Sequence, residues 1–135
     1  MTRYLSIDYG DVRIGIAISD PFNVSAQPIG TYKNSKNVIN EIIAIIEEKK
    51  IINLIVGLPK DQHGNDSKKA KDVRSFIKDL HSEKEIKTEY IDERFSTVAV
   101  ERHLIGLNLS RKKRKEIIDT QAAMFILQGV LDRAN

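Results

Sequence analysis

The chain has 135 residues, 41% of them hydrophobic and 30% charged, and its 22 Lys and Arg against 19 Asp and Glu give a formal net charge of +3. That length suits one domain over residues 1–135 and is too short for two independent cores. No stretch approaches the roughly 20 apolar residues of a spanning helix, and the absence of cysteine excludes disulfides and thiolate zinc sites. The N-terminal Met1-Thr2-Arg3-Tyr4-Leu5-Ser6-Ile7-Asp8 turns strand-like at once, with neither an apolar signal core nor a cleavage site, so the chain is expected to start at Met1 and to stay in the cytoplasm. Any metal must be held by oxygen or histidine.

Residues 3–9 and 13–19 run apolar or alternate, with β-branched side chains, and Gly10-Asp11 between them reads as a tight hairpin turn. After a loop bracketed by Pro21 and Pro28, a third strand is expected at about 29–32. Residues 35–50 place Ile39, Ile42, Ile43 and Ile46 at helical spacing, which predicts an amphipathic helix. The run at 53–58 is apolar on both faces, as in a buried parallel strand, and Pro59 ends it. A turn-rich loop at 61–66 leads to a helix with Ala70, Val73, Ile77 and Leu80 on one side. Residues 88–93 form a fifth strand, followed by a helix starting near Ser96 and a long helix over about 110–133. The order β-β-β-α-β-α-β-α-α predicts an α/β fold of the ribonuclease H-like kind. Its mixed five-stranded sheet has three antiparallel strands plus two parallel ones and is flanked by helices.

Three acids stand out. Asp8 lies inside a strand, on the side of Tyr4 and Ser6 and opposite Leu5 and Ile7; a buried aspartate there needs a metal or cation, while an edge-strand aspartate facing water is the plain alternative. In Asp92-Glu93-Arg94, neighbouring residues point to opposite faces, so one carboxylate at most joins Asp8. Glu93 is preferred for its longer arm near the strand's C-terminal end, with Asp92 a candidate and Arg94 a partner for one of them or for phosphate. Asp119 shares a helix face with Ala122, Ala123 and Ile126 and is expected to point inward, the alternative being a surface pair with Lys115. On the second strand, Gly15, Ala17 and Ser19 make a side of small residues that allows close approach, and Arg13 precedes it at the rim.

The basic charge is local. Arg111-Lys112-Lys113-Arg114-Lys115 holds five positive charges, and the remaining 17 basic against 19 acidic residues are net −2. Cations at the start of a helix oppose its dipole by some tenths of a kcal/mol each, so phosphate docking explains Arg111, Lys112, Lys113, Arg114 and Lys115 better than local stability; a solvated charge run is the alternative. His63, His81 and His103 lack ligand spacing, and no Ser/His/Asp set or glycine-rich nucleotide fingerprint is evident.

Taken together, Asp8-Tyr9-Gly10 with Gly15-Ile16-Ala17, Val56-Gly57-Leu58-Pro59, Asp92-Glu93-Arg94-Phe95-Ser96-Thr97, and Asp119 followed by Ala122-Ala123 resemble the YqgF/RuvX family of Holliday-junction-resolvase-like proteins, the pre-16S ribosomal RNA nucleases. The resemblance covers essentially the whole chain. It implies a phosphodiesterase using Mg²⁺ or Mn²⁺ held by Asp8, Glu93 and Asp119, with Arg13, Arg94 and the 111–115 cluster on the phosphate backbone. It further implies a role in trimming the 5′ end of precursor 16S ribosomal RNA, with branched DNA as a second substrate and the ribosome or its precursor as a partner. Where bona fide resolvases carry an acid at the end of the fourth strand this chain has Gly57-Leu58-Pro59, and Glu93 takes that role. Two rivals remain: a non-catalytic nucleic-acid-binding module, and an actin-like ATPase, against which a single-domain length argues.

Overall fold

A computed structural model describes residues 3–92 and 110–134, with the main chain alone for 112–119. The strands are β1 (Arg3–Asp8), β2 (Arg13–Ser19), β3 (Ala26–Lys33), β4 (Ile51–Leu58) and β5 (Lys87–Asp92), and the helices α1 (Val38–Glu48), α2 (Lys68–Glu83) and α3 (Arg111–Ala134). They form one mixed sheet in the order β3-β2-β1-β4-β5. β1, β2 and β3 pair antiparallel, while β4 pairs parallel with both β1 and β5. The helix expected near Ser96 falls outside the described residues, as do Glu93, Arg94 and His103.

Period-two alternation divides the sheet between two cores. Leu5 and Ile7, Ile14, Ile16 and Ile18, and Leu54, Val56 and Leu58 pack against Val38, Ile42 and Ile46 of α1 and Val73, Ile77 and Leu80 of α2. Each such side chain contributes about 1.5–3 kcal/mol by leaving water. The opposite face carries Ala17, Ala26 and Ile55 against Ala123, Ile126, Leu127, Val130 and Leu131 of α3. The side of small residues expected on β2 is therefore where α3 sits, Ala17 being fully buried beneath it.

Three expectations change. β3 is longer than 29–32 and includes Pro28, which was expected to bracket a loop. β3 is an edge strand, where a missing N–H is tolerated, and the β2–β3 register shifts between Ile16 and Ala17, leaving Ile29 unpaired as a bulge beside the proline. The Gly10-Asp11 turn is a wider connection spanning residues 9–12, between Asp8 and Arg13. β1 is the central strand, which removes the reading of Asp8 as an edge-strand residue.

The β4–α2 connection is held by charge. Asp66 accepts from Lys60 Nζ at 2.5 Å and Arg74 Nε at 2.7 Å, while the Arg74 guanidinium lies 4.8 Å from the centre of the Tyr90 ring. Hydrogen bonds from Arg74, then from Lys60, lower the Asp66 pKa from 3.8 to about 2. Because the folded value is depressed, this contribution to stability is complete above the unfolded value of 3.8 and is lost as pH falls through about 2. Asp66→Asn should therefore flatten the dependence of unfolding free energy on pH between those values, measured by urea titrations at several acid pH values. A wild-type slope surviving in the variant would contradict the assignment.

Candidate active site at the carboxyl edge of the sheet

Asp8 is the last residue of β1, half-buried, at the edge where β1, β4 and β5 all end. Its parity is that of Tyr4 and Ser6, the face covered by α3, where the buried Ser6 hydroxyl donates to the Ala123 carbonyl at 2.7 Å. Among the described residues the Asp8 carboxylate has no hydrogen-bond or ion-pair partner. Across β2 it is paired with Gly15, which has no side chain to fill the adjoining space. The result is an open recess of about 490 Å³ lined by Asp8, Gly10, Asp11, Val12, Arg13, Gly15 and Thr31.

The loop forming one wall is held from β3. The Asn34 side-chain amide donates to the Gly10 carbonyl at 2.9 Å, and the Asn34 main-chain N–H donates to the Val12 carbonyl at 2.9 Å. Gly10 is required for space: a Cβ there would stand 2.4 Å from the main-chain oxygen of Arg13. Main chain cannot rotate away as a side-chain tip can, so Gly10→Ala should cost about 1–3 kcal/mol of stability as an overpacking change. Chemical denaturation measures that loss, and a neutral result would mean that the loop yields.

Of the residues singled out in the sequence, the structure brings Asp8 and the exposed Arg13 into this one recess. Asp92 is the last residue of β5. Its parity is that of Thr88, hydrogen-bonded to His81 at 2.8 Å, and of Tyr90 beneath Arg74, and those two face α2. Glu89 and Ile91 alternate with them toward α3, where Glu89 accepts from Arg133 at 2.8 Å and Ile91 packs in the α3 core. Being on an edge strand, Asp92 also borders a cleft with Phe125, Gly129 and Arg133. Asp119 lies in the main chain of α3, one turn before Ala123, and Ala123 and Ile126 of its predicted face are buried at 0% and 3% exposure, while Ala122 is only half-buried. Arg111 is exposed at the first turn of α3; Lys112, Lys113, Arg114 and Lys115 follow in the same helix. Among the described side chains, to which those of Glu93 and Asp119 do not belong, no three Asp, Glu or His groups converge.

Asp11 and Thr31 in the recess, and Asn34 behind it, were not anticipated. Asp11 reads as a turn residue from sequence. The register that brings Thr31 opposite Gly15 depends on the β2–β3 bulge, which no local pattern announces. Ser6 was legible by parity with Asp8.

Residues 2–133 match the family model described as "RuvX: Holliday junction resolvase". The chain belongs to the RuvX family. Relatives named "Putative pre-16S rRNA nuclease" include one from Clostridioides difficile (strain 630), 42% identical over 96% of this chain and 94% of that protein. Another from Clostridium tetani (strain Massachusetts / E88) is 44% identical over 96% of each. As a RuvX member with such relatives, the chain is a hydrolase of phosphodiester bonds. Its fold is that of the T. thermophilus RuvC bound to a Holliday junction substrate, with a TM-score of 0.63 at 12% identity, covering 99% of this chain and 96% of that one. The fowlpox virus resolvase in complex with Holliday junction DNA gives a TM-score of 0.61 at 12% identity, covering 98% and 99%. These confirm the ribonuclease H-like fold. Among the described residues no helix is long and apolar enough to cross a membrane.

Proposed function

We propose that this RuvX-family chain is a divalent-metal-dependent nuclease that processes the 5′ end of precursor 16S ribosomal RNA in the cytoplasm. Asp8, Glu93 and Asp119 supply the ligands for Mg²⁺ or Mn²⁺. The observation that carries the reading is Asp8: a half-buried carboxylate on a central strand, without a partner among the described residues, facing an open recess beside a glycine. A carboxylate in that setting fits a hard cation, which takes oxygen ligands and keeps several waters. Glu93, directly after β5, is preferred as the second acid for its longer arm, with Asp92 the alternative. The station of Asp119 one turn from Ala123 supports the third.

When bound, the ion would activate water and stabilise the leaving oxygen of an in-line phosphodiester displacement. The chain's own residues set up that step. The three carboxylates repel one another without a cation, and this drives metal uptake. Arg13 at the recess rim, Arg94 and the 111–115 cluster hold backbone phosphates, which orients the strand without reading its sequence. Specificity then comes from RNA shape or from a pre-ribosomal particle as partner.

The family description favours a second reading, resolution of four-way DNA junctions in recombination and repair. Purified protein incubated with precursor ribosomal RNA and with a synthetic four-way junction, in Mn²⁺, Mg²⁺ or chelator, separates the two. Metal-dependent cleavage of the RNA at its 5′ leader is expected. Cleavage of the junction alone would replace this reading with the second, and metal-independent binding without cleavage of either would favour a non-catalytic module.

A further inference from the structure

Ser6 is one of three buried polar residues among those described, and its hydroxyl reaches 117 residues along the chain to a helix carbonyl. Ser6 and Ala123 are both 0% exposed, so this 2.7 Å bond forms away from water. A hydrogen bond from a hydroxyl to the middle of a helix is not needed by the helix, whose carbonyls there already bond internally. Its place in the fold gives it a different use.

β1 and α3 run in opposite senses. Tyr4 borders the same cleft as Val130, and two residues further along β1 Ser6 meets Ala123. Two more residues on the strand lead to Asp8, an advance of about 6.6 Å. Four residues back along the helix lead from Ala123 to Asp119, an advance of about 6 Å in the same direction. The two advances match. The apolar contacts on this face, Ala17, Ala26 and Ile55 against Ile126, Leu127, Val130 and Leu131, have no preferred register along the helix. Polar bonds also tie α3 down, from the Ala26 N–H to Gln128, from Gln128 to the Val24 carbonyl and from Arg133 to Glu89, but they reach β3, the segment before it and β5 rather than β1, and lie further along the helix from Asp119.

We infer that Ser6 is a positioning residue whose bond to the Ala123 carbonyl sets the register of α3 on β1, so that the metal ligands Asp8 and Asp119 share one ion. This rests on the proposed metal-dependent function. Apolar burial tolerates sliding and the Gln128 and Arg133 bonds fix α3 against other segments, whereas the directional 2.7 Å bond from Ser6 ties it directly to β1, the strand that carries Asp8. Loss of the hydroxyl leaves α3 docked and lets the distance between the two acids relax.

The test is Mn²⁺ binding by isothermal titration calorimetry, with thermal melts in chelator, on the wild-type chain, Ser6→Ala and Val130→Ala. Val130 packs in the same α3 core at 6% exposure, two turns beyond Ala123, and its truncation destabilises that interface without touching the register bond. Ser6→Ala is expected to weaken Mn²⁺ binding at least tenfold, and Val130→Ala to lower the melting temperature as much or more with Mn²⁺ affinity within twofold of wild type. Equal affinity in wild type and Ser6→Ala, or equal weakening in both variants, overturns the positioning role while leaving the metal site standing. A wild-type chain that binds no Mn²⁺ overturns the site itself and the positioning role with it. Ser6→Cys, a slightly larger side chain with a weak donor, is expected to weaken Mn²⁺ binding in the same direction if Ser6→Ala does not fold.

Discussion

Asp8→Asn should abolish metal-dependent cleavage, by at least about 10³-fold, equivalent to about 4 kcal/mol of barrier at 1.36 kcal/mol per decade. Asparagine keeps the shape and one oxygen but loses the charge that attracts the ion and balances it against Glu93 and Asp119. The fold should be indifferent. Asp8 has no hydrogen bond or ion pair among the described residues, so neutralising it removes no native interaction there. Unfolding free energy in chelator should be no lower than that of wild type, since neutralising one of three mutually repelling carboxylates relieves strain and breaks no bond. With metal the two proteins should diverge. Ion present at about 100 times its dissociation constant stabilises the wild type by about 2.7 kcal/mol, and this increment should vanish in the variant. Cleavage kinetics and paired denaturation curves measure both. A variant that still cleaves would remove Asp8 from the site, and one that unfolds without metal would make the residue structural.

How much of this was legible before the structure follows from the range of each signal. The order of elements along the chain and the amphipathic helices come from periodicities within a dozen residues, and β2 has the boundaries that its Arg-Ile-Gly-Ile-Ala-Ile-Ser pattern predicts. The inward stripe of α3 was visible for Ala123 and Ile126 for the same reason. Alternation along β5 was also local, and Glu89 and Tyr90 do reach different helices, while the choice between Asp92 and Glu93 falls outside the described residues. Pairing between distant segments was not legible. The β3 bulge, the Asn34 bonds to the 10–12 loop and the link from Ser6 to α3 each join positions whose relation exists only after the chain has folded. Asp66 shows the same limit. It reads as one more turn residue in sequence, and its depressed pKa arises from Arg74 two turns into α2.

Replacing Arg111, Lys112, Lys113, Arg114 and Lys115 with alanine should move binding and stability in opposite directions, which no purely structural role for the cluster can do. These residues open α3, a helix with no acid in its first turn. Positive side chains there face the positive end of the helix dipole and cost some tenths of a kcal/mol each, and alanine is the better helix former. The five-fold variant should therefore melt no lower than wild type and by that reasoning somewhat higher. Nucleic-acid affinity should fall at least about tenfold near 0.1 M salt. The slope of log affinity against log salt should shrink by about 0.7 to 0.9 for each phosphate that the protein no longer neutralises, the lower figure for single strands and the higher for duplex. The weakening should be similar across sequences, because interactions with the phosphate backbone carry no base information. At saturating RNA the cleavage rate should stay near that of wild type, since Asp8, Glu93 and Asp119 are untouched. Anisotropy titrations at several salt concentrations, beside melting curves, read all of these together. An unchanged salt slope would make the cluster a solvated surface run, whereas an unchanged slope with a large drop in stability would show that α3 needs these side chains for packing. A much shallower slope in a protein that melts higher is the signature of a helix start kept cationic for its substrate.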